Sequence, residues 1–330
     1  MAQTPPRSPI RRVFKLIGYG FIGLCLIAGF QFSRLHDLGS KPNFTSDLMK
    51  LNKDVQFIEA NSLKFAYIEK GQGPLILLLH GYPETARSWH KVQKGLAAKG
   101  YRAVAVFMRG YAPTSSAADY SVRSLGEDVV ALIDALGEDK AIVIGHDWGA
   151  SAAYEAAFTS PEKISHLVAI SIPHPLGTQP SFDLFSRAFH FLYYQLPTSE
   201  RLIWSDGFEH IRSIFKTWSP NFNMPEEEFE DIRNTFQTPD GIAGPLGYYH
   251  AVAENGAANA AIQPDSKISV PTLVIAGDSD GTTDLNWFKV AEPAFPGGYS
   301  FEILSGVGHF PQIEKPQFVV NLITNFLDEN

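Results

Sequence analysis

The chain is nearly free of cysteine: of its 330 residues only Cys25 is one. A single thiol excludes an internal disulfide, and in apolar surroundings it reads as a small buried hydrophobe. No Cys-x-x-Cys occurs, and none of the 10 histidines falls into His-Glu-x-x-His spacing. The usual metal-ligand patterns are therefore missing, and neither a metal nor any cofactor is expected. Positive charge is also scarce. With 27 Lys and Arg against 35 Asp and Glu, the net charge is −8, which gives no basic patch and no reason to expect a nucleic-acid partner. Internal repeats and long low-complexity stretches are absent. Gly71-Gln72-Gly73-Pro74 precedes a strand-like run instead of opening a helix, so it reads as a hairpin turn and not as a phosphate loop.

Apolar residues are plentiful. At 45% hydrophobic and 12% aromatic, the chain can bury a sizeable core. The N-terminus stands apart. Arg7, Arg11, Arg12 and Lys15 precede the uncharged run Leu16–Phe30. As a helix that run spans roughly 22 Å, and extending it to Val13–Phe32 with Lys15 snorkelling reaches about 30 Å, a bilayer core. Residues 1–35 thus read as a signal peptide or membrane anchor. No clear Ala-x-Ala site follows, which favours the anchor. The preceding positive charges would stay in the cytoplasm, so a membrane-anchored or exported body outside it is expected. Arg11-Arg12-Val13-Phe14-Lys15 also resembles a twin-arginine export signal, and Asn43-Phe44-Thr45 is a sequon that matters only in a eukaryotic host.

Residues 36–52 form a polar linker with Gly39, Ser40 and Pro42. A first core segment over 53–172 opens with alternating strands near Asp54–Ala60 and Leu63–Lys70, followed by strand-helix units that include an amphipathic stretch Val122–Leu136. Residues 173–262 break the alternation and read as a helical, aromatic-rich cap; the core resumes over 263–330. A mostly parallel sheet flanked by helices follows from the alternation.

Chemistry gathers at four turns. Ala141–Ile144 is a β-branched run ending in Gly145-His146-Asp147-Trp148-Gly149, after which a helix opens. This is the small-x-nucleophile-x-small turn, with aspartate at its tip. Small flanking residues let a strained turn close. A serine attacking sp³ carbon would leave an ether, which water does not cleave. A carboxylate leaves an alkyl ester that water cleaves at the acyl carbon. Asp147 therefore points to epoxides or alkyl halides; the competing reading is a helix-capping aspartate without chemistry. Leu75–Leu79 leads into His80-Gly81-Tyr82-Pro83-Glu84, a turn whose amides could face an oxyanion. Strand-like Val270–Ala276 precedes Gly277-Asp278-Ser279-Asp280-Gly281, and Gly306-Val307-Gly308-His309-Phe310 precedes a helix over about Pro316–Leu327. Nucleophile, acid, histidine is the chain order of the α/β-hydrolase fold.

Together these turns resemble the epoxide hydrolase branch of the α/β-hydrolase superfamily, from about Phe57 to the C-terminus. Arg109-Gly110-Tyr111-Ala112-Pro113-Thr114-Ser115 is similar to that family's Arg-Gly-Tyr-Gly-x-Ser loop, with Ala112 for a glycine and one residue inserted. Phe107 stands where an aspartate is common. The resemblance implies an α/β-hydrolase fold with an inserted cap. It also implies that Asp147 attacks carbon, His309 activates water and the amides of Tyr82 and Trp148 hold the oxyanion. Asp278 and Asp280 both could orient His309; the resemblance favours Asp280. His80 and His146 read as packed framework.

An opening epoxide needs a donor for its oxygen. Phe189-His190-Phe191-Leu192-Tyr193-Tyr194-Gln195-Leu196-Pro197 resembles the family's first donor helix, with His190 where many members carry tyrosine. Gly244–His250 resembles the second, with Tyr249 as the ring-opening tyrosine. Phe191, Tyr193, Tyr194, Tyr248 and Trp148 are the expected substrate-binding residues, the cap tyrosines also being fallback donors. The resemblance thus implies a small apolar epoxide and water as reactants, an alkyl ester on Asp147 and a vicinal diol as product. Haloalkane or haloacid dehalogenation with the same nucleophile is the alternative, Trp148 offering an indole N–H to halide. A non-catalytic binding protein on this fold is a third reading.

Overall fold

A computed structural model describes residues 54–330 apart from Gln179 and Pro239. The expected anchor over 1–35, the linker over 36–52 and Cys25 lie outside the described residues. No helix among the described residues is long and apolar enough to cross a membrane.

Among the described residues, eight strands form one sheet: β1 Gln56–Ala60, β2 Leu63–Lys70, β3 Leu75–Leu79, β4 Arg102–Phe107, β5 Ala141–His146, β6 Ile164–Ile170, β7 Thr272–Gly277 and β8 Tyr299–Leu304. Their spatial order is β1-β2-β4-β3-β5-β6-β7-β8. β1 and β2 form an antiparallel hairpin and β2 runs antiparallel to β4; every later pairing is parallel. Parallel strands covered on both faces must be apolar throughout. Leu75–Leu79 and Ala141–His146 are accordingly buried at every position.

The order of strands corrects one reading. β4 lies between β2 and β3, so Gly71–Pro74 is a crossover turn and not a hairpin. Gly71 and Gly73 take φ of 82° and 117° there, a region open to glycine. β1 starts at Gln56 and not at Asp54, because Asp54 sits at φ 60° and leaves the extended region. β7 starts at Thr272, since Pro271 has no N–H for the ladder.

Helices α1 His90–Ala98, α2 Val122–Ala135 and α3 Trp148–Thr159 cover the sheet, and α12 Pro316–Glu329 closes the chain. Among the described residues, six α-helices come between β6 and β7: α4 Phe182–Arg187, α5 His190–Tyr193, α6 Ser199–Trp204, α7 Glu209–Trp218, α8 Glu226–Phe236 and α9 Ala243–Asn255. In α7, Ile211, Ile214, Phe215 and Trp218 recur at helical spacing and are all buried. α10 Leu285–Ala291 and the short α11 Pro311–Glu314 follow β7 and β8. The Arg109 loop is fixed by a two-pronged pair: Nε and Nη2 donate to the Asp128 carboxylate on α2, both at 2.6 Å.

Candidate active site

Asp147 stands between β5 and α3 at φ 52°, ψ −119°. That backbone is strained for any residue with a Cβ. Gly145 and Gly149 permit it: a Cβ on Gly145 would overlap the Gly149 carbonyl, and one on Gly149 the Leu79 carbonyl. The Asp147 side chain makes no capping bond to its helix, which removes the reading as a mere N-cap. Its Oδ1 instead accepts from the Tyr82 amide at 2.8 Å. Gly81 lets that amide approach, since a Cβ there would run into the Asp147 side chain.

His309 completes the pair. Its Nε2 lies 3.5 Å from Asp147 Oδ2 and has no nearer partner, and its Nδ1 lies 2.8 Å from Asp280 Oδ2. Asp280 is buried and accepts further from the Thr282 amide at 2.7 Å and the Thr283 hydroxyl at 2.9 Å. Asp278, the competing carboxylate, is exposed and accepts from the Gly306 amide at 2.7 Å; it holds a turn away from His309. The histidine's own loop is fixed from the cap. The His309 amide donates to the Trp218 carbonyl at 3.1 Å and to Ser219 Oγ at 2.8 Å.

Electrostatics follow from this layout. Burial alone would lower the His309 imidazole, but the carboxylates of Asp280 and Asp147 outweigh it and push it up to about 10. Burial would raise both carboxyls, yet His309 holds each below the usual carboxylate range. His146 and His80 are framework. His146 Nε2 donates to the His309 carbonyl at 2.7 Å, and Nδ1 meets buried Glu84 at 2.6 Å. His80 is fully buried, lowered to about 4 by that burial, and its Nε2 accepts from the Met108 amide at 3.1 Å.

Above Asp147 lies a mainly apolar cavity of about 150 Å³. Of the residues singled out in the sequence, Asp147, Trp148, His190, Phe191 and Tyr249 line it. The Tyr249 ring stands edge-on to Trp148 and to Tyr82, each at 5.3 Å. Burial, reinforced by the Asp147 charge, raises its hydroxyl well above the ordinary value, so the O–H stays intact at neutral pH. His190 is lowered to about 4, chiefly by burial. A neutral imidazole has one N–H donor and one acceptor nitrogen.

Three expected substrate-binding residues are placed elsewhere. The Tyr194 hydroxyl bonds the Tyr82 hydroxyl at 2.6 Å and His210 Nε2 at 3.0 Å. Tyr193 packs on Tyr194 and His210. Tyr248 is buried, its hydroxyl donating to the Arg109 carbonyl at 2.8 Å. Each is held by framework partners and none lines the cavity. Conversely, sequence reasoning missed Trp218, Trp287, Arg187, Thr282 and Thr283, all of which do. The only signals were the apolar stripe of α7 ending at Trp218 and the two threonines directly after Asp280-Gly281. Among the described residues, no group of three or more His, Cys, Asp or Glu could hold a metal ion.

The alpha/beta hydrolase fold family matches residues 74–316, and the chain belongs to it. Epoxide hydrolase 4 of Mus musculus is 28% identical over 289 residues, covering 82% of this chain and 78% of that one. An epoxide hydrolase of Caballeronia sordidicola is 28% identical over 324 residues, covering 86% and 96%. Among solved structures, a putative epoxide hydrolase from Klebsiella pneumoniae superposes with a TM-score of 0.73 at 26% identity, covering 83% of this chain and 97% of that one. An epoxide hydrolase from an endophytic Streptomyces gives 0.74 at 28%, covering 83% and 95%.

Proposed function

We propose that the protein is an epoxide hydrolase that forms an alkyl ester on Asp147. The carrying observation is the division of that carboxylate: Oδ1 is held by the Tyr82 amide, while Oδ2 faces His309 under a cavity bordered by Tyr249. Oδ2 attacks an epoxide carbon, the ring C–O bond breaks, and the Tyr249 hydroxyl donates to the departing oxygen. Esterification removes one of the two anions that hold the imidazolium, so His309 gives up its proton, which restores the Tyr249 hydroxyl, and the neutral ring can take one from water. The resulting hydroxide adds to the Asp147 acyl carbon, and charge developing on Oδ1 meets the Tyr82 amide, with the Trp148 amide as the second donor. Collapse breaks the acyl–oxygen bond to the substrate, whose alkoxide takes the proton that His309 drew from water; the diol leaves, and the new carboxyl returns a proton to His309, which restores carboxylate and imidazolium.

Size supports a compact substrate, since a mainly apolar cavity of about 150 Å³ accepts a benzene-sized group. The test gives purified protein an epoxide panel and a haloalkane panel in parallel. Diol formation is expected, and halide release without diol would overturn the reading. In single turnover with ¹⁸O-water, the label must enter Asp147. Label found wholly in the diol would mean direct attack by water on the substrate.

For the N-terminus we infer anchoring or export, supported by four cations ahead of the uncharged run Leu16–Phe30. Full-length protein is then expected in membranes or outside the cytoplasm, and a cytoplasmic protein that is soluble without processing would refute this.

A further inference from the structure

We propose that the Arg187 side chain is a positioning residue that carries the cap's grip to the triad acid, and so governs ester hydrolysis apart from ring opening. The inference rests on the ester mechanism above. Arg187 ends α4, at the edge of the cavity. Its Nη1 donates to the Thr283 carbonyl at 2.9 Å and reaches the Asp280 carbonyl at 3.4 Å. Thr283 in turn donates its hydroxyl to Asp280 Oδ2 at 2.9 Å, and the same oxygen meets His309 Nδ1 at 2.8 Å. The guanidinium is thus two hydrogen bonds from the carboxylate that orients the base. Asp183, one turn earlier, aims it by accepting from Nε with both oxygens at 3.1 Å.

His190 and Tyr249 border the cavity where the epoxide opens, whereas the Arg187 side-chain donors go to the Thr283 and Asp280 carbonyls and to Asp183. Replacing the side chain therefore loosens the Asp280–Thr283 loop and leaves the Tyr249 hydroxyl in place, which makes the two chemical steps separable. Misplacing a reacting group by a fraction of an ångström slows its own step and not the other.

The experiment is rapid-quench single turnover with intact-mass detection of the ester, on wild type, Arg187→Met, Arg187→Lys and Asp183→Asn. In Arg187→Met, ester decay is expected to slow by roughly tenfold or more while ester formation changes by less than about threefold, so that ester accumulates and kcat falls with KM. Arg187→Lys, which keeps one donor, should recover part of the decay rate. Asp183→Asn, at an exposed carboxylate, should shift the same step in the same direction and serves if Arg187→Met fails to fold. Folded variants in which both steps slow equally, or neither changes, overturn the role of Arg187. Absence of any ester in wild type with a substrate it turns over would overturn the ester mechanism instead.

Discussion

His309 Nε2 stands 3.5 Å from Asp147 Oδ2, beyond the range of a strong hydrogen bond. The imidazole is close enough to feel the carboxylate yet not locked to it, as a base must be if its target is the ester's water and not the nucleophile. Replacing it should therefore spare attack and abolish release. In His309→Gln, substrate is expected to remain on the enzyme at one equivalent, with kcat down roughly 10³-fold or more. Intact-mass analysis and peptide mapping read this directly. Unmodified protein after prolonged incubation with a good substrate would count against covalent catalysis.

The two aspartates after β7 should behave oppositely. Asp280→Asn keeps the shape but replaces an anion that accepts from His309 by an amide, so the histidine loses its orientation and its charge partner. A fall in kcat of roughly 10³- to 10⁴-fold is expected, by analogy with triad acids in general. Asp278→Asn touches only a surface turn, and kcat should stay within about twofold. Steady-state assays on both variants check the contrast. Equal losses would mean that the turn, and not the charge on Asp280, is what His309 needs.

Stability should carry the same electrostatics. The His309 value is raised in the fold from 6.5 to about 10. A raised basic group stabilises the folded state fully below its unfolded value, and the contribution is lost as pH climbs through the folded one. Wild type should thus exceed His309→Gln most in Tm below pH 6.5, and the gap should narrow steadily toward pH 10. Calorimetry of both proteins across that window tests the sign. A gap that widens with pH would show the histidine to be held neutral.

Much of the core was legible because each turn encodes its own geometry. Gly145 and Gly149 are needed where the chain crosses Asp147, Gly81 where an amide meets the carboxylate, and such needs are local. The cap was less legible, for a helical reason. Adjacent residues on a helix point about 100° apart, so Tyr248 and Tyr249 look to different neighbours, and sequence alone does not say which looks down. Tyr248 found the Arg109 carbonyl and Tyr249 the cavity. Tyr194 was claimed by Tyr82 and His210, partners 112 and 16 residues away. Thr283 and Arg187 matter only because cap and core meet, which no local pattern announces.

The ring-opening donors can be ranked by which still has a proton to give. The Tyr249 hydroxyl keeps its proton at neutral pH because burial and Asp147 both oppose its ionisation. His190, lowered to about 4, is neutral there and has a single N–H. It can offer the epoxide oxygen a second N–H only after protonation. Near pH 7, Tyr249→Phe is therefore expected to slow ester formation by roughly 10²-fold, the usual scale for a lost proton donor, and His190→Phe by less than about tenfold. The ranking should tighten on acidification, as protonated His190 gains the N–H that neutral His190 lacks. Rapid-quench measurement of ester formation at pH 4 and at pH 7 decides it. A His190 variant more damaged than the Tyr249 variant at neutral pH would make the histidine the principal donor and place its proton on the cavity side.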